Sequence, residues 1–415
     1  MESFCKIFAA CSKQTFRMST LYTNTKIQMH KMDRRLEFSS VINEAEKVVG
    51  YPVSFLNMRV ILNDEIANIL SYTKKLIEMK HPLVQTFSNL VFQNEQKTFG
   101  LIVLLMSKVA GLSGNFPESE YDRATGNVKS SLTCWLIVNT FFVDILHSQR
   151  VIAEVVEMIK TGHLMHTSLS NIDASTKNVL DINFGNKLAL LYGDYLLAIS
   201  SSELARLKNH HVQEIISSAC MDLVESEFFG LRDLQNNPIP SKPLPEQKHI
   251  KIPHEFGVES LKFEDVLGNM KAEWTLRNIL GSGSLLAKCC QCSLILADHE
   301  VFVPKLAYIF GRNLALAWQA SSEKVQIKEE TFNLVSAPVM LHLQHDPSLY
   351  IEIEKGLSDQ KKVNYDLIRK VVMSGPGLDK TDQLKREFSD AALNVLDNFS
   401  DSGSKTVLIN IMKAL

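Results

Sequence analysis

The chain has 415 residues, a formal net charge of −2 and hydrophobic residues at 45% of its positions. A chain this apolar can bury a large core and is not disordered, and its near-neutral charge excludes a global basic field for nucleic acid. Its 18 glycines and 12 prolines are too few for the frequent turns of a sandwich or barrel. The composition therefore favours helices, none with the roughly 18 uninterrupted apolar residues of a membrane span.

Residues 1–38 are predicted to be a mitochondrial transit segment. Lysine, arginine and hydroxyl side chains dominate the first 35 positions, where the acidic residues are Glu2 and Asp33. A basic, hydroxyl-rich and acid-poor composition is typical of such segments. The alternative is an uncleaved tail with no function. Residues 39–415 are predicted to form one helical domain.

Helical periodicity runs through most of this domain. Apolar residues from Leu62 to Ile77 form one stripe that ends at His81-Pro82, because the residue before a proline resists the helical conformation. Further helices are predicted over 100–110, over the apolar run 132–146, and over 184–199, 211–229 and 261–326, and again from Val335 onward. The sequence shows neither a repeat nor an alternating pattern long enough for a sheet. We therefore expect one large all-α bundle.

A proline-rich segment interrupts this pattern at residues 231–256. Five of the chain's 12 prolines lie there, and proline is excluded from helix interiors and central strands. The segment is predicted to be a surface loop or insertion.

The cysteines and histidines suggest no metal centre. Cys289, Cys290 and Cys292 lack the paired CxxC spacing of a zinc site, so a packed helix face is favoured over structural zinc. All seven cysteines are interpreted as reduced thiols because their number is odd and their spacing irregular. His163 and His166 could share one helix face, but the sequence offers no third ligand, and packing or surface positions are favoured.

Four segments resemble the all-trans polyprenyl diphosphate synthases. Residues 184–198 read FGNKLALLYGDYLLA, similar to the FGNK…GDYLLA stretch of that family. Residues 152–159, the run GRNLALAWQ at 311–319 and the run SAPV at 336–339 resemble three further family segments in the same order. The resemblance implies a single large helical bundle of the trans-isoprenyl diphosphate synthase type.

In that family two facing helices each carry the pattern D-D-x-x-D, which places carboxylates on one helix face. These carboxylates hold Mg²⁺, which bridges the diphosphate of an allylic substrate and stabilises charge on the leaving group. Isopentenyl diphosphate then attacks the allylic cation. These properties are what the resemblance implies for an intact member.

The sequence departs from the family at these acidic positions. Where the first motif is expected it carries Thr167, Ser168 and Asn171, and where the second is expected it carries Ser322, Glu323 and Gln326. Two basic motifs of the family are also reduced in this sequence. The first corresponds to residues 95–100 and the second to the glycine and serine run at 281–284. We therefore expect no catalytic, cofactor-binding or metal-binding residue in this chain.

The framework around these motifs is retained. It comprises Gly185, Asn186, Lys187, Gly193, Asp194, Gly311, Arg312 and Asn313. Gly185 and Gly193 are expected to permit close backbone or helix approach, and Asn186 and Asp194 to form hydrogen bonds within the bundle. The apolar run 129–147 looks like an insertion relative to the family.

A retained scaffold with lost acidic motifs resembles one subgroup of the family, the second subunits of decaprenyl or solanesyl diphosphate synthases. The resemblance implies a regulatory or stabilising subunit, inactive alone, that pairs with a catalytic subunit 1 in a mitochondrial matrix heterotetramer. That complex would make the ubiquinone side chain, with Mg²⁺ in the catalytic partner and no cofactor in this chain. The alternative is a divergent prenyltransferase active on its own, using Glu323 with Asp173, Asp181 or Glu330.

Overall fold

The computed structural model describes residues 40–49, 98–120, 145–170, 179–234, 236–246, 263–358 and 362–415. The predicted transit segment, the apolar stripe that begins at Leu62, and residues 132–144 of the apolar run fall outside these ranges. The same is true of residues 95–97 of the first reduced basic motif.

The described chain is almost entirely helical, as the sequence predicts. Its first half contains α1 (residues 40–49), α2 (Thr98–Ala110), α3 (His147–Thr167), α4 (Val179–Arg206) and α5 (His210–Ser226). Two short strands, β1 (Leu231–Arg232) and β2 (Pro238–Ile239), come next. The second half contains α6 (Phe263–Val266), α7 (Met270–Asn278), α8 (Ser284–Ile295), α9 (Phe302–Lys328), α10 (Ala337–Leu343), α11 (Tyr350–Ser358), α12 (Tyr365–Ser374), α13 (Gly377–Leu396) and α14 (Gly403–Ala414). The expectation of an all-α bundle is confirmed.

Helices α8 and α9 form the centre of the bundle. Helix α8 contacts α2, α3, α5 and α9, and α9 also packs along α13. A helix surrounded in this way is apolar on most sides, and α8 buries leucine, alanine and all three of its cysteines. Both helices carry segments that the sequence singled out, so the bundle centre fixes the position of the candidate site.

Buried polar side chains connect the ends of helices to neighbouring helices. The Gln149 amide at the start of α3 donates to the Ser293 carbonyl oxygen near the end of α8, over 2.9 Å. The Glu157 carboxylate accepts a 2.8 Å hydrogen bond from the Gly100 N–H in the first turn of α2, where a negative charge is favoured by the helix dipole.

The proline-rich segment is described in part, over residues 231–234 and 236–246. Leu231 pairs with Ile239 and Arg232 with Pro238 in a two-residue antiparallel ladder, which the sequence pattern was too short to predict. Ser241 is buried, and its N–H donates to the Glu273 carboxylate over 3.2 Å. The start of this segment is therefore packed onto α7.

None of the helices that the structure describes is both long and apolar enough to cross a membrane.

Candidate functional site

The first degenerate motif lies at the carboxyl end of α3. The Thr167 hydroxyl donates to the Leu164 carbonyl oxygen over 3.2 Å, and the Ser168 hydroxyl donates to that of Met165 over 2.7 Å. Both hydroxyls thus satisfy carbonyl groups that a helix end leaves without partners. Asn171 lies outside the described residues. These two positions close a helix and offer no carboxylate.

The second degenerate motif lies in the last turns of α9, and its acid is buried. Glu323 is 6% exposed and accepts three hydrogen bonds. Its Oε2 accepts from Trp274 Nε1 over 2.8 Å and from the Ala337 N–H over 2.7 Å, and its Oε1 accepts from Gln319 Nε2 over 2.8 Å. The carboxylate thereby joins α9 to α7 and to the start of α10.

The environment of Glu323 suits a structural carboxyl better than a metal ligand. Burial raises its pKa, and the three hydrogen bonds offset part of that rise. Its lone pairs point at fixed donors, one of them the first N–H of a helix, where a carboxylate is favoured by the dipole. The half-buried Ser322 and Gln326 on either side bring only neutral oxygens.

These residues do not fit Mg²⁺. The ion prefers carboxylates and substrate phosphates in octahedral geometry, whereas the described motif positions offer hydroxyls, an amide and one carboxylate already bonded to three donors. Across the part of the chain that the structure describes, no group of three or more His, Cys, Asp or Glu side chains could hold a metal ion. We derive no metal-dependent step from this chain.

The reduced basic motif at 281–284 has also become structural. It coincides with a π-helical segment, Ile279–Gly283, between α7 and α8. The Ser284 hydroxyl donates to the Asp222 carboxylate of α5, which also pairs with Lys288. The lysine position that the family resemblance implies corresponds to Gly281, and Ser284 at the end of the same run connects α5 with α8.

Gly193 and Asp194, two of the retained framework residues, lie where α4 crosses α3. A Cβ on Gly193 would lie 3.0 Å from the Gly162 carbonyl oxygen and would overlap the His166 ring. Asp194 Oδ1 lies 3.2 Å from His166 Nε2. Since no side chain larger than hydrogen fits at residue 193, the two helices approach closely at this point.

Asn186 forms hydrogen bonds to the segment that follows α3. Its Oδ1 accepts from the Ser170 N–H and its Nδ2 donates to the Ser170 carbonyl oxygen, both over 2.8 Å. Gly185 beside it is buried, and Lys187 is exposed. Asn186 therefore holds α4 against the end of α3 by a paired backbone contact.

The retained run at 311–313 lies in the core between α8 and α9. A Cβ on Gly311 would lie 3.0 Å from the Ala287 Cα, so the backbones are in near contact. Arg312 is 1% exposed with its guanidinium 5.9 Å from the Tyr308 ring centre, and burial lowers its pKa. Asn313 is fully buried.

The sequence reasoning missed the donors that surround Glu323. Trp274 and Ala337 lie 49 and 14 residues away along the chain, and no local pattern connects them to the second motif. It also missed the contact between Asp222 and Ser284, which are 62 residues apart. A buried tryptophan needs a partner for its N–H, but the sequence does not say which one.

The other candidate groups are not assembled into a reactive site. Cys220, Cys289, Cys290 and Cys292 are free thiols, and burial raises the pKa of each, which disfavours the reactive thiolate. His163 Nε2 lies 3.8 Å from the Glu227 carboxylate. Both histidines singled out in the sequence, His163 and His166, are thus next to single carboxylates on neighbouring segments.

Glu330 is one of the carboxylates that an independently active enzyme could use together with Glu323, and its position is unsuited to that role. It is exposed and pairs with Arg369 over 2.9 Å at the surface, while Glu323 is buried. Asp173 lies outside the described residues, as does the side chain of Asp181.

The chain is similar to known proteins over most of its length. The family model for polyprenyl synthetase matches residues 129–253. A Mus musculus protein described as all trans-polyprenyl-diphosphate synthase PDSS2 is 32% identical over 391 residues, covering 91% of this chain and 87% of the relative. Mitochondrial hexaprenyl pyrophosphate synthase of Saccharomyces cerevisiae is 25% identical over 439 residues, covering 89% of this chain and 92% of the relative.

Solved structures show the same fold. Heptaprenyl diphosphate synthase from Staphylococcus aureus superposes with a TM-score of 0.54 at 14% identity, covering 90% of this chain and 96% of that one. This likeness establishes the all-α fold of the trans-isoprenyl diphosphate synthases. Since the sequence similarity extends over nearly the whole of both this chain and its mouse relative, the chain belongs to the polyprenyl synthetase family.

Proposed function

We propose that this chain is the non-catalytic subunit of a heteromeric all-trans polyprenyl diphosphate synthase. The observation that carries the proposal is the state of the second motif. Glu323 is buried and accepts hydrogen bonds from three structural donors, and the other two motif positions, Ser322 and Gln326, carry no charge. A synthase chain that ionises an allylic diphosphate needs exposed carboxylates for Mg²⁺. In the proposed complex a catalytic partner supplies them together with the metal.

The proposed role of this chain is to stabilise that partner and help set the length of its product. The contacts that hold the bundle together support it, because Gly193 and Gly311 keep helix pairs close and Asn186 fixes the end of α3. A chain that had lost both chemistry and structural role would be under no constraint to keep such contacts.

The relatives and the amino terminus support a mitochondrial setting. The yeast relative is described as mitochondrial, and the basic first 35 residues have transit composition. We propose that the chain works in the mitochondrial matrix, as part of a heterotetramer that makes the side chain of ubiquinone.

Prenyl-chain synthesis from labelled isopentenyl diphosphate tests the proposal. Three preparations with Mg²⁺ are compared: this chain, the intact synthase subunit of the same organism, and the two co-expressed. We expect long-chain product from the co-expressed pair and none from this chain alone. Product from this chain alone would instead support a divergent, independently active prenyltransferase.

A further inference from the structure

A pocket of about 470 Å³ opens beside α8, between α5 and the first turns of α9. No described residue of α2 or α3 lines it. Ser322, the first position of the second degenerate motif, follows the lining residue Tyr308 by about four turns of α9, or roughly 21 Å. The pocket is therefore separate from both degenerate motifs. Its volume lies within the range of small-molecule sites, about 300–1,000 Å³.

Gln291 is a buried polar side chain that faces this pocket. It lies on α8, is 7% exposed and belongs to the pocket lining. Among the residues that the structure describes, none forms a hydrogen bond with its side-chain amide. A buried polar group without a partner is unfavourable, and each such group in a native structure calls for an explanation. A ligand in the pocket would satisfy this amide.

Lys288 places a cation one turn before Gln291 on the same helix. Its ammonium pairs with Asp222 of α5, which occupies one of its three N–H donors. None of the described residues that line the pocket is acidic. The polar end of the pocket therefore offers donors from Lys288 and Gln291 to an incoming acceptor.

The charges around Tyr308 favour one more anion. Burial and Asp222 raise the pKa of the Tyr308 hydroxyl, whereas Arg312 lowers it. Both charged groups are thus close to Tyr308, and the Arg312 guanidinium lies 5.9 Å from its ring centre. Together with Lys288 this makes two cations and one carboxylate. One additional negative charge would balance them.

The remainder of the pocket is mainly apolar. Ile295 of α8, Ile215 of α5 and Pro304 of α9 line it beyond the polar end. Pro304 is buried and the two isoleucines are half-buried, so their exposed surface faces the pocket. An aliphatic chain placed between them gains stability in proportion to the apolar area that it buries.

We propose that this pocket binds an aliphatic monocarboxylate of medium chain length. Its two carboxylate oxygens accept hydrogen bonds from the Lys288 ammonium and the Gln291 amide, and its chain lies between the apolar walls. A diphosphate suits the pocket less well, because it carries more negative charge than these cations balance. This site goes beyond the proposed function, since it involves neither the synthase partner nor the prenyl-transfer reaction.

Isothermal titration calorimetry of the full chain with octanoate tests the inference. We expect a Kd below about 1 mM. Acetate supplies the carboxylate without the chain, and octanol supplies the chain without the carboxylate, so each is expected to bind at least about tenfold more weakly. Geranyl diphosphate is added as a competitor and is expected to leave octanoate bound at equal concentration.

Two variants test the polar end. Lys288→Met should weaken octanoate binding by at least about tenfold, because a charge-assisted hydrogen bond is lost. Gln291→Met should weaken it by about two- to tenfold. Because the Gln291 amide has no hydrogen bond to lose within the described chain, this variant should unfold at the same urea concentration as the native chain. That result separates a binding effect from misfolding.

The matched control is Lys324→Met. Lys324 forms the same kind of ion pair, with Asp382, and lies outside the pocket. The two side chains are 23% and 26% exposed, against 16% and 23% for Lys288 and Asp222. Lys324→Met should leave the affinity for octanoate unchanged.

Binding of octanoate that both pocket variants weaken and the control does not would support the site. The inference is wrong if octanoate does not bind, if acetate or octanol binds equally well, or if neither variant weakens binding. It is also wrong if geranyl diphosphate displaces octanoate at equal concentration, because the ligand would then be an isoprenoid diphosphate. The non-catalytic role is tested separately, by prenyl-chain synthesis.

Discussion

Replacing Glu323 by alanine removes the acceptor for two buried donors and one half-buried donor. Trp274 Nε1, Gln319 Nε2 and the Ala337 N–H would each lose their hydrogen bond. A buried donor left unsatisfied costs about 1–3 kcal/mol. We therefore expect Glu323→Ala to lower the free energy of unfolding by at least about 2 kcal/mol, with further loss from the cavity left behind.

Replacing Glu323 by glutamine should have little effect. The amide oxygen can take the position of Oε2 and accept from Trp274 and Ala337. The Gln319 amide can rotate so that its oxygen accepts from the new amide nitrogen. Because burial raises the pKa of the native carboxyl, removing the charge also removes a desolvation cost, and we expect a change within about 1 kcal/mol.

Urea unfolding followed by tryptophan fluorescence measures both variants, with Glu330→Ala as the surface control. Glu330 is paired with Arg369 at the surface, and such pairs contribute about 0–1 kcal/mol. Each variant is also co-expressed with the intact synthase subunit and assayed for prenyl-chain synthesis. Loss of product by Glu323→Gln, with stability and assembly intact, would refute the structural role and make Glu323 part of the chemistry.

Three further changes test the packing around the motifs. Gly193→Val should force α3 and α4 apart and lower the unfolding free energy by about 1–3 kcal/mol; unchanged urea unfolding would contradict the close crossing. Asn186→Leu should lose both hydrogen bonds to Ser170 and speed hydrogen exchange of the Ser170 amide, whereas unchanged exchange would mean that other contacts hold this segment. Burial lowers the pKa of His342 below its unfolded value of about 6.5. The unfolded chain therefore binds more protons than the folded chain, and the free energy of unfolding falls as the pH drops through and below that value. His342→Leu should flatten this dependence in urea titrations between about pH 7.5 and 5.5, and an unchanged slope would contradict this role of His342.

The sequence predicts the fold well because helical patterning is local. The apolar residues of α2 and α9 recur at helical spacing, and the two helices span Thr98–Ala110 and Phe302–Lys328. The scarcity of acidic residues at 167–171 and 322–326, where Glu323 is the single carboxylate, can likewise be read from the sequence. These features need no knowledge of distant contacts.

The new roles of the motif positions could not be predicted in the same way. The role of Glu323 depends on donors on α7 and α10. The role of Asp222 depends on a hydroxyl and an ammonium group on α8. Such contacts depend on how helices pack, which periodicity does not specify. The two-residue β1–β2 ladder is similarly too short to leave a pattern.

The central claim is that the catalytic carboxylates of the complex belong to the partner. The most direct measurement is prenyl-chain synthesis by the assembled complex after every aspartate in both D-D-x-x-D motifs of the synthase subunit has been replaced by asparagine, with this chain left intact. The account predicts a complex that still assembles and makes no product. Long-chain product from that complex would contradict it, because the metal and its ligands would then have to lie in this chain.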